Sequence, residues 1–113
     1  MKKISILILL MSVLVFVSCD SSAIQDISVI VEHPTYNANI ASVMNSKCTG
    51  CHGGGNQYPN LETYAEVKDA TANGNLLCRL TASCGNLMPQ DGALPTATIN
   101  MITLWKEQGY LEN

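Results

Sequence analysis

The sequence predicts an all-α domain built from three to five short helices. Three observations support that class. Apolar side chains recur at helical spacing in separate stretches, with Tyr36, Ile40, Val43 and Met44 as one set and Ile99, Ile102 and Trp105 as another. Thr63-Tyr64-Ala65-Glu66 has the form of a capping box, in which the Thr side chain and the Glu side chain satisfy each other's backbone amides. From Tyr36 onward no stretch alternates convincingly as a strand would.

The elements are read in chain order. Lys2 and Lys3 form a positive start, and Ile4 to Val17 is a run of apolar residues and small serines. A membrane-spanning helix needs about 20 residues, so residues 1–18 read as the n- and h-regions of a signal peptide. Phe16-Val17-Ser18-Cys19 resembles the lipobox of bacterial lipoproteins, where cleavage leaves a cysteine that carries lipid. The resemblance implies lipidation of Cys19 and a place on the periplasmic side of a bacterial membrane or cell envelope. An ordinary signal peptide with a cysteine nearby is the alternative. Residues 19–34 read as the lipidated N-terminus and a tether, with a short apolar run at Ile27 to Val31, and residues 35–113 as the domain.

Within the domain, Thr35 or Asn37 caps a first helix that runs into Cys48. Gly53-Gly54-Gly55-Asn56 then breaks regular structure. The capping-box helix carries Tyr64, Val67 and Ala70 and stops near Gly74, a usual residue just past a helix end. A short helix with Leu76, Leu77 and Leu80 follows, then a loop from Thr81 to Pro95. The last helix starts near Thr96 or Thr98 and ends at Gly109.

Composition excludes several classes. Loss of Lys2 and Lys3 with residues 1–18 takes the formal net charge from −3 to −5. An acidic chain has no electrostatic footprint for nucleic acid and no basic patch for anionic lipid. No Ser-His-Asp arrangement, phosphate loop or pair of carboxylates points to hydrolysis. A domain this small buries a thin core and usually relies on a staple, a metal or a cofactor.

The five cysteines are Cys19, Cys48, Cys51, Cys78 and Cys84. Acylation of Cys19 leaves an even number. If a cofactor takes Cys48 and Cys51, then Cys78 and Cys84 remain to pair in an oxidising compartment; two free thiols are the alternative. The box Cys48-Thr49-Gly50-Cys51-His52 admits three chemistries. Thiol exchange needs the pair at a helix start, where the thiol pKa falls, and here it follows a helix. Zinc would draw on Cys48, Cys51, Cys78 and Cys84, but the second pair is loosely spaced and His52 is left without a role. Covalent haem uses all three residues: two thioether bonds, and His52 delivered to the iron. The glycines that follow let backbone lie close to a porphyrin edge.

The chain from Tyr36 to Leu111 resembles a small class I cytochrome c. The matching pieces are CTGCH, the YPNL at Tyr58 to Leu61, the LMP at Leu87 to Pro89, and the terminal helix with Trp105. The resemblance implies a small helical bundle around one covalently attached haem c. It gives Pro59 the carbonyl that accepts from the second nitrogen of His52, and Leu61 a place on the haem face. Met88 becomes the sixth ligand, a soft thioether that stabilises reduced iron; His33 is the rival. Met44 and Met101 fit helical stripes and read as core.

The function expected is a non-enzymatic, envelope-anchored carrier of single electrons. Its partners would be redox proteins of a respiratory or envelope electron-transfer chain, with the membrane reached by the lipid anchor. The alternatives are a haem sensor or peroxidase-like enzyme with an open distal site, for which Arg79 is the only arginine, and a zinc-binding structural lipoprotein.

Overall fold

A computed structural model describes residues 30–113. The signal-peptide, lipidation and most tether assignments, residues 1–29 with Cys19, lie outside the described residues. Among the described residues the structure is helical, with no strand. One π-helical turn (Tyr36–Ile40) leads directly into α1 (Ala41–Lys47). Then come α2 (Tyr64–Ala72), α3 (Leu76–Leu80) and α4 (Thr96–Glu107).

Local chemistry explains each start. Thr35 is the first cap: its hydroxyl accepts from Ala38 N–H at 3.3 Å, and Asn39 Oδ1 accepts from Thr35 N–H at 3.0 Å. The wider first turn still leaves Tyr36, Ile40 and Met44 on the buried side. At α2 both halves of the capping box form, as the sequence predicts. Gly74 follows α2, but a left-handed backbone is not what requires glycine there. A Cβ at Gly74 would lie 2.8 Å from the Ala70 carbonyl oxygen, inside contact distance. The loop from Thr81 to Pro95 and the start of α4 at Thr96 fall where the sequence puts them.

The chain termini of the domain meet. The N–H groups of Tyr36 and Asn37, which a helix start leaves without intrahelical partners, donate to the carbonyls of Leu111 (2.8 Å) and Glu112 (3.0 Å). The tail turns back to reach them through left-handed backbone at Gly109 and Tyr110. Pro34, which the sequence places in the tether, is fully buried in the domain. Just before it, the Glu32 carbonyl accepts from Gln108 Nε2 at 2.7 Å.

Trp105 is the centre of the core and is fully buried. Its indole N–H donates to the Leu111 carbonyl at 2.8 Å. Tyr110 packs edge-on at 5.0 Å between ring centroids, and Tyr36 and Tyr64 lie at 6.2 and 6.3 Å. The rest of the core is aliphatic and continues through Ile40, Met44, Leu61, Val67, Leu80, Leu94 and Ile102.

Candidate functional site

The CTGCH box continues the winding of α1 for one more turn. Cys48 N–H donates to Met44 O at 2.8 Å, and the Cys48 carbonyl accepts from Cys51 N–H (3.1 Å) and His52 N–H (2.8 Å). A turn of this kind brings residues i and i+4 to one side, so Cys48 and His52 share a face. Cys48 is half-buried and Cys51 is exposed. Burial pushes the Cys48 thiol above its ordinary pKa. That is the reverse of what a thiol-exchange cysteine needs, and it agrees with a position at the end of a helix rather than its start.

Beyond the box the chain must fold back sharply. Gly53 is buried, and a Cβ there would stand 2.5 Å from the Thr49 carbonyl. Gly54 and Gly55 take left-handed backbone at φ +61° and +72°, which glycine adopts without steric cost. The loop closes where Leu61 N–H donates to the His52 carbonyl at 2.8 Å. Within it, His52 Nδ1 lies 2.9 Å from the Pro59 carbonyl oxygen. A carbonyl only accepts, so Nδ1 carries a proton, and in the neutral tautomer that this selects the lone pair is on Nε2. An imidazole held this way is oriented and electronically prepared to bind a metal through Nε2.

His52 forms part of the wall of a cavity of about 530 Å³, within the usual range for a small-molecule or cofactor site. Cys48, Pro59, Leu61 and Met88 line the same cavity, on apolar surroundings supplied by Met44, Leu80 and Leu94. Five of the sequence-predicted haem-site residues are thereby brought together. Cys51 is exposed and is not on the wall. His33, the rival ligand, is exposed and outside the cavity. Met44 is core as expected and also forms cavity wall, whereas Met101 is half-buried beside Val31 in a separate groove along α4.

Met88 is half-buried and comes from the loop between α3 and α4. Cys78 and Cys84 lie at disulfide distance, 5.4 Å between Cα atoms, and close the first part of that loop. This pairing takes both sulfurs out of a four-cysteine zinc site. Among the described residues no three of His, Cys, Asp and Glu converge as metal ligands.

The cavity also has a polar side that sequence reading left unassigned. Lys47, Asp69, Asn73, Asn75 and Arg79 all reach its wall. Lys47 is the last residue of α1, next to the box; Asp69 comes from α2, Arg79 from α3, and Asn73 and Asn75 from the turn between them. Tyr58, 90% exposed, stands at the rim beside Pro59.

No protein-family model matches this chain, and no curated protein and no solved structure matches it.

Proposed function

We propose that this chain is an envelope-anchored c-type cytochrome that carries single electrons. Cys48 and Cys51 would hold one haem covalently in the cavity, and His52 and Met88 would be the side chains that bind its iron. The observation that carries the reading is the 2.9 Å contact between His52 Nδ1 and the Pro59 carbonyl. It leaves Nε2 free on the wall of a cavity that also holds Met88 and Cys48.

The residues present fit such a group. The volume suits a flat cofactor, the wall is largely aliphatic, and nitrogen and thioether donors share one space. Cys51, three residues from Cys48 and next to His52, would supply the second thioether. When bound, the iron supplies the one-electron chemistry. His52 stays oriented by Pro59, Met88 offers a soft ligand that favours reduced iron, and Leu61, Leu80 and Leu94 keep water from the site. Anchoring rests on the FVSC box at Cys19. A disulfide at Cys78–Cys84 suits an exported protein.

A second reading, an open-site haem sensor or peroxidase-like enzyme, is favoured by one observation, the presence of Arg79 on the cavity wall. Its guanidinium is engaged by the Asn86 carbonyl at 3.3 Å, which makes it a weaker candidate for handling peroxide.

The test is the full-length chain matured in a haem-attaching host. Colour should resist extraction into acid acetone, and the reduced protein should be low-spin and slow to bind carbon monoxide. Met88→Ala should open the site and lower the potential; His33→Ala should change neither. Extractable colour rejects covalent attachment, and a high-spin wild type that binds carbon monoxide at once favours the second reading.

A further inference from the structure

We propose that Arg79 is the positioning residue for Met88, which rests on the reading of Met88 as an iron ligand. A ligand carried on a loop binds only as persistently as the loop stays closed, and loops with few buried contacts open at low cost. The disulfide ends at Cys84, so Gly85, Asn86 and Leu87 separate it from Met88 and need another restraint.

Arg79 supplies that restraint from both its main chain and its side chain. Its carbonyl accepts from Met88 N–H at 3.0 Å and from Ala82 N–H at 3.3 Å. Its Nη1 donates to the Asn86 carbonyl at 3.3 Å. Between these two contacts the guanidinium lies flat against Gly85, whose φ is +143°. A Cβ at that position would collide with Nη1 and with the guanidinium carbon. One residue of α3 thus holds the loop on both sides of Leu87. The placement of Arg79 directly after Cys78 makes the two restraints continuous along the chain.

The test compares full-length, haem-loaded wild type with Arg79→Ala, Arg79→Gln and Arg79→Lys, and uses Met88→Ala as reference. Carbon monoxide association with the reduced protein should rise roughly tenfold in Arg79→Ala and Arg79→Gln, the size expected for a lost charge-assisted hydrogen bond. Arg79→Lys, which keeps length, charge and a donor, should recover most of the slow binding. Hydrogen exchange at the Met88 amide should accelerate in the same order, with helical circular dichroism unchanged. Wild-type carbon monoxide kinetics and Met88 amide protection in both Arg79→Ala and Arg79→Gln would overturn the proposal. So would a shift in potential common to those two variants with no change in carbon monoxide binding, because that marks a purely electrostatic role. If Met88→Ala leaves the wild-type spectrum intact, the ligand reading itself fails, and the proposal fails with it for that separate reason.

Discussion

Around Trp105 three tyrosine rings pack, Tyr64 and Tyr110 edge-on and Tyr36 tilted, and hydrogen bonds within the chain tie this region together. The indole N–H bonds to Leu111, and the Tyr64 hydroxyl donates to the Tyr110 carbonyl at 2.8 Å. Around His52 the arrangement is different. Met44, Leu61, Leu80 and Leu94 are buried from solvent yet turn toward a cavity of about 530 Å³. Protein interiors are normally packed close to crystal density; this part of the core is not, and it leaves the cavity open. The comparison separates two jobs in one small core. The aromatic region is closed by its own contacts, while the cavity region presents donors and walls to open space.

Mutation at the aromatic region should break that contrast most severely. Trp105→Ala removes a fully buried ring and the hydrogen bond that ties the tail, and should cost about 3–5 kcal/mol. That is a large share of the roughly 5–15 kcal/mol available to a domain. Leu94→Ala, on the cavity wall, should cost less in protein without cofactor, since part of its surroundings is already open. Urea unfolding of both variants by circular dichroism measures the difference, and equal losses would erase the distinction between the regions.

The disulfide gives the next effect. Replacing Cys78 and Cys84 together by serine releases a seven-residue loop and should cost about 2 kcal/mol. Because the loop leads to Met88, the change should appear in carbon monoxide binding as well as in the unfolding midpoint. A stability loss with unaltered carbon monoxide kinetics would show that the loop is held by Arg79 alone.

The same contrast describes what the sequence could and could not reveal. The core was legible because helical periodicity reports burial: Tyr36, Ile40, Met44, Ile102 and Trp105 are buried, while Val43 and Ile99 of the same stripes are half-buried. The capping box at Thr63 was legible because its chemistry is local. The cavity was legible only where motifs mark it, at Cys48, His52, Pro59, Leu61 and Met88. Arg79 belongs to α3, Asp69 to α2, and Asn73 and Asn75 to the turn between them, and no local pattern aims a side chain across a space between helices. The π-helical first turn also escaped, since the stripe from Tyr36 to Met44 is the same in either winding. The burial of Pro34 was not legible, because an isolated proline gives no sign of the tertiary contacts that enclose it.

The smallest expected effect lies where the two regions join, at Glu66. Hydrogen bonds hold its carboxyl below the ordinary glutamate value, first from the Asn60 side chain, then from the Thr63 hydroxyl and the amides of Thr63 and Glu62. The Asn60 contact is 2.7 Å, and the amides of Thr63 and Glu62 lie at 2.9 and 3.1 Å. Asn60 sits between Pro59, which orients His52, and Leu61, so this carboxylate pins the histidine loop to the start of α2. With its pKa depressed in the folded state, Glu66 takes up a proton less readily folded than unfolded. Its contribution is therefore complete above the ordinary value of about 4.3 and is lost as the pH falls through the lower, folded value. Glu66→Gln keeps a residue that can complete the capping box but cannot titrate. The stability difference between wild type and variant should be constant at neutral pH and shrink below about pH 4.3, as followed by urea midpoints across the acid range. A difference that stays constant down to the acid limit would mean that the carboxylate is not held in its charged form, and that the loop at Pro59 is fixed without it.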